Sequence, residues 1–257
     1  MKILFKKIFD NLWMPIFAIL LWQLLSSSTN NIYFPSPVKV WGAFERLLNL
    51  DWLIINLYPS IQTILFGFMI GSLSALLLGI LMAINKTVLE ILLPILNFIR
   101  GIPSVAKIPI IMALFGIGQT TRICATSIAV FAPVVLATVS SVSMISPSLE
   151  DLIKVLKIGK FRALFLIRLP SGSKEIYASL QVGMQIAILV MIVSEFLGSG
   201  FGVGAFIIHS QNTFKVIDMW AGILFVGLLS LGLNLSLKLI EKILFPWHLK
   251  QIMSKND

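Results

Sequence analysis

The stretch KIGKFRALFLIRLPSG, residues 157–172, carries four basic side chains among aromatic and aliphatic ones. Uncharged runs of chain lie on both sides of it, at 123–149 and 176–194. Each run is long enough to cross the hydrocarbon core of a membrane, which takes about 20 apolar residues in a helix. The basic stretch therefore connects two predicted membrane spans.

The composition of the whole chain points to the same class of protein. Of its 257 residues, 58% are hydrophobic and 12% are charged, whereas soluble domains carry about 25% charged residues. A soluble core this apolar would expose large apolar patches. We therefore predict an all-α polytopic membrane protein that forms a single domain over residues 1–257.

Six transmembrane helices account for the apolar runs. We place them at about 12–28, 60–84, 89–118, 123–143, 176–196 and 217–238. The first run follows three lysines and imitates a signal peptide, but no clear cleavage site follows it, so we expect it to be retained. Because Arg100, Pro103, Lys107 and Pro109 interrupt the third span, we expect a broken helix that is buried in the bundle.

The distribution of basic residues predicts the orientation. With six spans, both termini and the loop at 146–174 face one side of the membrane, and 14 of the 20 lysines and arginines fall there. Four fall on the other side and two lie in the interrupted span. The excess marks the cytoplasmic side. It also explains the net charge of +9 without a nucleic-acid partner.

The loop at 146–174 reads as two short amphipathic helices with a bend between them. Ser146 and Pro147 are typical of a helix start, and Leu149, Leu152, Ile153 and Leu156 follow with the spacing of one apolar face. Gly159 interrupts, a second stripe comes from Phe161, Leu164 and Phe165, and Leu169-Pro170 should end it. The loop could be a topological anchor, a helix lying on anionic lipid or a knob for a partner's groove.

This loop resembles the cytoplasmic segment of ABC importer permeases whose pattern is Glu-Ala-Ala, three residues, Gly, nine residues, Ile, one residue, Leu-Pro. Ile167 and Leu169-Pro170 match the end of the pattern, and Asp151 falls at the Glu position. Lys157 stands where the pattern has glycine, and Gly159 comes two residues later.

Further stretches resemble the nitrate, taurine, alkanesulfonate and bicarbonate permease group, in the same order and at similar spacing. They are FPSPVKVW from residue 34, RGIPSVAKIPIIMALFGIGQTTRI from 100, SEFLGSGFGVGAFI from 194 and IEKILFPWH from 240. The resemblance implies a fold like that of type I ABC importer permeases. It also implies a homodimer in the cell inner membrane, with cytoplasmic ATP-binding subunits and an extracytoplasmic substrate-binding protein as partners.

With the resemblance, docking of the loop on the ATPase becomes the leading explanation. The expected contact residues are Asp151, Leu152, Leu156, Gly159, Phe161, Leu164, Leu169 and Pro170. The chain itself has no phosphate-binding loop of the Gly-Lys-Ser/Thr type, so a partner subunit must hydrolyse ATP. Cys124, His209 and His248 form no metal-ligand pattern, and we expect neither a cofactor nor a metal.

Ionisable residues inside a membrane are costly and usually face a cavity or a partner. We therefore expect Arg100, Pro103, Lys107 and Glu195 to contribute to a translocation pathway. Two other interpretations stay open. Arg100 and Glu195 could form a structural ion pair, or Glu195 could lie in water at the outer interface.

The leading function is thus the transmembrane subunit of an ATP-driven importer. The solute would be small and anionic, such as nitrate, a sulfonate or taurine, or bicarbonate. An ion-coupled secondary transporter is the main alternative, since it also uses broken helices and intramembrane charges. A scaffold without transport activity would not need those charges. An enzyme fits least, because no catalytic nucleophile and base are visible.

Overall fold

The computed structural model describes residues 2–29, 31–198 and 200–244, and the side chains of residues 2–12 and 244 lie outside the description. The described chain is helical and contains no strand. Its helices are α1 (Lys2–Thr29), α2 (Pro37–Leu47), α3 (Leu50–Ile84), α4 (Lys86–Gly101), α5 (Ile108–Phe115), α6 (Gln119–Ser143), α7 (Pro147–Val155), α8 (Lys160–Gly198), α9 (Val203–Asn212) and α10 (Val216–Leu244). The predicted all-α class is confirmed.

Four described helices are long and apolar enough to cross a membrane: α3, α6, α8 and α10 up to Ile243. The pair α4 and α5 would form a fifth span if the two are taken together. The predicted first span falls in α1, whose described apolar part, Trp13–Thr29, is shorter. The six-span topology therefore stays a prediction. The C-terminal residues 245–257, with the end of the segment IEKILFPWH, lie outside the described residues.

Helices α3, α6 and α8 form the core of the bundle. Small residues recur every fourth position along α3, at Gly67, Gly71, Ala75 and Gly79. A Cβ atom on Gly71 would lie 2.5 Å from the backbone oxygen of Ser127, so the backbones of α3 and α6 approach too closely for any side chain there. Stripes of small residues allow this close packing in membranes, where the hydrophobic effect does not drive helices together.

Several prolines lie inside helices without ending them, and two of these share one local geometry. Pro59 in α3 and Pro170 in α8 each follow a π-helical turn, at Leu53–Leu57 and Leu164–Arg168. A proline ring clashes with the carbonyl four residues before it in a regular helix, and the wider turn moves that carbonyl away. The expected stop at Leu169-Pro170 is therefore wrong. The second predicted loop helix is the first part of α8, which runs for 39 residues.

The interrupted span bends by 94° between α4 and α5. The turn passes through a short 3₁₀ helix at Ser104–Lys107, after Pro103. The expectation that this span is buried is wrong for the single chain. Only Leu96, Ile108 and Ile111 are buried along it, while Phe98 and Leu114 are among its exposed apolar side chains. The apolar surface on this span is thus not covered by the helices in the described part of the chain.

At the end of the bundle opposite α7, which we call the outer end, α2 and α9 form a cap. The spacing of Val40, Ala43 and Phe44 is that of one helical face, and these three residues form the buried side of α2. Phe44 and Trp52 both contact Phe225 of α10, each with ring centroids 4.4 Å apart. The cap fixes where α9 begins, directly above the end of α8.

Candidate functional site

A buried carboxylate is the most unusual feature of the outer end. Glu195, near the end of α8, has 0% of its surface exposed. Burying an ionised carboxylate is costly unless charge and hydrogen bonds compensate it. The groups around Glu195 must therefore supply that compensation.

Three elements supply it. The Ser60 hydroxyl of α3 lies 2.7 Å from Oε1 of Glu195, and the backbone N–H of Gly204 donates to Oε2 at 2.8 Å. The guanidinium of Arg122 in α6 approaches Oε1 at 3.5 Å. Ser60 also accepts a hydrogen bond from the N–H of Val203 at 2.9 Å. Because Val203 and Gly204 open α9, the carboxylate lies at the positive end of that helix.

The glycine-rich turn before α9 is shaped by this carboxylate. Gly202 has φ of +111°, a conformation that side chains with a Cβ rarely adopt. A Cβ atom on Gly202 would overlap the carboxylate of Glu195. The segment from Gly202 to Gly204 is therefore a cradle for a side chain of the same protein. The four residues Ser60, Arg122, Glu195 and Gly204 form what we call the outer node, and it joins α3, α6, α8 and α9.

The outer node corrects two sequence interpretations of Glu195. Its ionic partner is Arg122 and not Arg100, which forms no ion pair within the described residues. Glu195 also does not lie in water, and without exposed surface it cannot contact a solute in this conformation. Sequence reasoning missed Arg122 and Ser60. Arg122 is one of the four basic residues predicted on the outer side, yet it is only 4% exposed. Its position between a glycine turn and an apolar run was the available signal.

The second half of the broken span packs beside the outer node. Ile108 and Ile111 of α5 join a cluster with Ala125, Ala129 and Val190 of α6 and α8. A Cβ atom on Gly198 would lie 2.9 Å from the methyl group of Met112. Lys107 is half-buried next to this contact, whereas Arg100 and Pro103 are exposed. The structure thus brings Lys107 toward the bundle and leaves Arg100 and Pro103 on its surface.

The end of the bundle that carries α7, which we call the inner end, presents the predicted coupling residues as two groups, one exposed and one half-buried or buried. Leu152 on α7, Leu156 directly after α7 and Phe161 at the start of α8 are exposed, with Phe161 at 73%. Asp151 and Gly159 are exposed as well, and Leu169 and Pro170 are half-buried. Leu164 is only 2% exposed, because it packs against Val142 and Ile176. Leu164 therefore cannot contact a partner and must be removed from the predicted coupling surface.

An ion pair holds α7 to the rest of the inner end. Nη2 of Arg168 donates to Oε2 of Glu150 at 2.8 Å, and Nη1 donates to the carbonyl of Val142 at 3.2 Å. Arg168 lies in the π-helical turn of α8, Glu150 in the first turn of α7 and Val142 near the end of α6. This one side chain thus ties three helices together.

The turn after α7 explains the glycine of the family pattern. The N–H of Ile158 donates to the carbonyl of Ile153 at 3.0 Å and that of Lys157 to Lys154 at 3.1 Å. These are the two bonds of a Schellman motif, whose next-to-last residue needs a left-handed conformation and is usually glycine. That residue is Lys157, with φ of +47°. Lys157 therefore adopts the glycine conformation without being glycine.

Comparison with known proteins finds one matching protein family and several similar proteins. Residues 75–249, which include the broken span, the inner end and most of the outer node, match the protein family described as binding-protein-dependent transport system inner membrane component.

Several individual proteins are similar over most of the chain. A putative ABC transporter permease of Methanocaldococcus jannaschii is 29% identical over 253 residues, 96% of this chain and 95% of that protein. The taurine transport system permease of Escherichia coli is 27% identical, covering 84% of this chain and 81% of its own length. A nitrate import permease of Synechocystis is 26% identical, covering 89% and 86%.

Proposed function

The chain belongs to the family of binding-protein-dependent transport system inner membrane components, and we propose that it forms the translocation pathway of an ATP-driven importer for a small anionic solute. Family membership supports a transport component rather than an enzyme. It also implies an ATP-hydrolysing subunit and a substrate-binding protein as partners. The observation that carries the proposal is the match over residues 75–249, because this range includes both the broken span and the inner end.

We propose that the inner end docks on the ATPase. The supporting observation is the exposed apolar surface of Leu152, Leu156 and Phe161, which no helix among the described residues covers. An aromatic anchor entering a groove commonly dominates such a contact. The ion pair of Arg168 with Glu150 would then transmit a push on α7 directly to α8.

We further propose that two copies of the chain meet along the broken span and line the path with Arg100, Pro103 and Lys107. The exposed apolar residues of α4 and α5 need cover, and a second copy would supply it. An arginine in such a path keeps its charge and attracts anions. Glu195 holds the outer node instead and would act on the path only through α8 and α9.

An anionic solute is supported by these two cations and by the relatives. Similar proteins are named for the transport of taurine, aliphatic sulfonates and nitrate. Bicarbonate remains within the same chemical class. The selection among these anions belongs to the binding protein as much as to this chain.

Reconstituted vesicles would test the transport proposal. The tagged chain is purified with the subunits that accompany it, and uptake of labelled nitrate, taurine and bicarbonate is measured with and without internal ATP. We expect uptake of one anion that requires ATP and the binding protein. Uptake driven by an ion gradient without ATP would instead establish the secondary transporter.

Two pairs of variants test the assignments within it. Phe161→Ala should reduce co-purification of the ATPase while leaving the fold intact, whereas Leu164→Ala should lower the yield of folded protein, because it opens a cavity.

Arg100→Gln should reduce uptake per folded complex without loss of assembly. The control is Lys86→Gln, which removes an exposed cation at the start of α4. Normal uptake by Arg100→Gln would remove this residue from the path.

A further inference from the structure

An open cavity of about 710 Å³ lies at the outer end, away from the outer node and the broken span. The end of α1, the start of α2 and the start of α10 surround it. Its lining includes Gln23, Ser27, Lys39, Arg46, Lys215 and Asp218. The proposed transport pathway does not use this cavity.

The cavity is lined by most of the basic residues on the outer side of the protein, where few basic residues are predicted. Of the four basic residues predicted on the outer side, Lys39, Arg46 and Lys215 all line it. Asp218 pairs with Arg46 at 3.6 Å, which leaves a net charge of two positive groups. Helices α2 and α10 both begin here, and no side chain caps α2, so their N-terminal dipoles also favour an anion.

Aromatic residues mark the depth of the cavity in the membrane. The rings of Trp22 and Trp220 lie 5.2 Å apart beside Phe34. Their indole N–H groups donate to the carbonyls of Pro35 and Tyr33 at 3.1 and 3.3 Å. Tryptophans of this kind occupy the interface between the lipid tails and the headgroups. The cavity therefore lies at the level of the headgroups.

An exposed apolar face leads from the cavity toward the middle of the membrane. Ile16 and Leu20 are exposed on α1 and, at helical spacing, share a face with Gln23 and Ser27. From Ser27 to Ile16 the helix descends by about 16 Å. Half of the hydrocarbon core is about 15 Å thick, so this face has the length of one acyl chain.

The loop that supplies Lys215 is strained. Phe214, which also lines the cavity, has φ of +57°, and a bulky residue in this conformation is an uncommon and costly choice. The N–H of Lys215 donates to the carbonyl of Ser210 at 2.9 Å, which closes the turn after α9 and holds Lys215 at the cavity.

From these observations we propose that the cavity binds the headgroup phosphate of an anionic phospholipid of the outer leaflet, with one acyl chain along α1. Lys39, Arg46 and Lys215 would contact the phosphate, and Ile16 and Leu20 the chain. This site goes beyond the proposed function and holds for any transported solute.

Native mass spectrometry of the purified transporter complex tests the proposal. Phosphatidylglycerol with long acyl chains should bind more tightly than phosphatidylcholine. The double variant Lys39→Gln/Lys215→Gln should weaken phosphatidylglycerol binding by about 25-fold, since one cation beside a headgroup contributes about fivefold. Lys39→Arg/Lys215→Arg should bind like the unmodified chain, and so should Lys86→Gln. Equal binding by the Gln double variant would overturn the proposal.

Further measurements separate the lipid from other ligands. Phosphatidylglycerol with long acyl chains should bind more tightly than phosphatidylglycerol with six-carbon chains, and Leu20→Ser should reduce this difference in affinity. Inorganic phosphate at millimolar concentration should not displace the lipid. Displacement by phosphate, or an unchanged chain-length preference in Leu20→Ser, would assign the cavity to a free oxyanion. If the Gln double variant keeps the lipid but loses stimulation by the binding protein, the cavity is a protein-docking surface and the proposal fails.

Discussion

The two ends of the molecule each contain an arginine–glutamate pair, and the pairs differ in almost every respect. At the outer end, Arg122 and Glu195 are buried and 3.5 Å apart. At the inner end, Arg168 and Glu150 are 2.8 Å apart and their side chains are 23% and 37% exposed. The shorter pair is the more hydrated one.

The difference in burial predicts that the two pairs contribute differently to stability. A buried pair is costly to break, because the remaining charge stays in a medium of low polarity. A hydrated pair contributes little net stability, because water replaces the lost partner. The outer node is therefore suited to hold four helices in one arrangement. The inner pair contributes less to stability, and under the proposed function it would pass a movement of α7 to α8.

The largest expected effect comes from breaking the outer pair. Glu195→Ala should destabilise the protein by about 3–5 kcal/mol, because Arg122 then stays buried without its counter-charge. The midpoint of thermal unfolding in detergent measures this, with Glu150→Ala as the matched control at the inner end. If both variants unfolded at the same temperature, the contrast between the two ends would be wrong.

The next effect tests the cradle around the outer carboxylate. Gly202→Ala should cost on the order of 1–3 kcal/mol, because it forces an unfavourable φ and places a methyl group onto Glu195. Gly200→Ala is the control two residues away, since a Cβ atom there meets nothing within 4 Å. The same unfolding measurement applies. A Gly202→Ala protein as stable as Gly200→Ala would show that the turn can relax away from the carboxylate.

The inner pair should show a smaller effect on stability and a clear one on coupling. Arg168→Gln should cost about 1 kcal/mol, while ATP-driven uptake per assembled complex falls because α7 is no longer tied to α6 and α8. Lys86→Gln is the control, since its 3.6 Å pair with Glu90 lies within the exposed surface of α4 itself. Equal uptake by the two variants would refute a coupling role for Arg168.

The smallest effect should come from the turn after α7. Lys157→Gly should stabilise the inner end by up to about 1 kcal/mol, because glycine adopts the left-handed conformation without strain. Part of the gain is lost to the greater entropy of glycine in the unfolded chain. Lys157→Ala removes the same charge but keeps the strain. A stability gain in Lys157→Ala equal to that in Lys157→Gly would mean that charge, and not conformation, sets the effect.

Several features of this protein follow from its sequence alone. Uncharged runs of about 20 residues, the small number of charges and the prolines at 103 and 109 predict an all-α membrane protein with a broken helix. These properties depend on the local chemistry of each segment, which lipid and backbone hydrogen bonding restrict strongly. The spacing of Val40, Ala43 and Phe44 identified α2 for the same reason. The residues that resemble importer permeases were also readable without a structure.

Only the tertiary structure decided which side chains meet. Ser60 and Glu195 are 135 positions apart along the chain, and neither periodicity nor composition relates them. Leu164 has the same spacing signal as the exposed Leu156, yet Val142 and Ile176 cover it. The sequence predicts that Pro170 ends a helix, but the helix continues past Pro170 because a π-helical turn precedes it. Each outcome depends on the packing of α3, α6 and α8, because contacts between distant segments form only when the whole bundle is assembled.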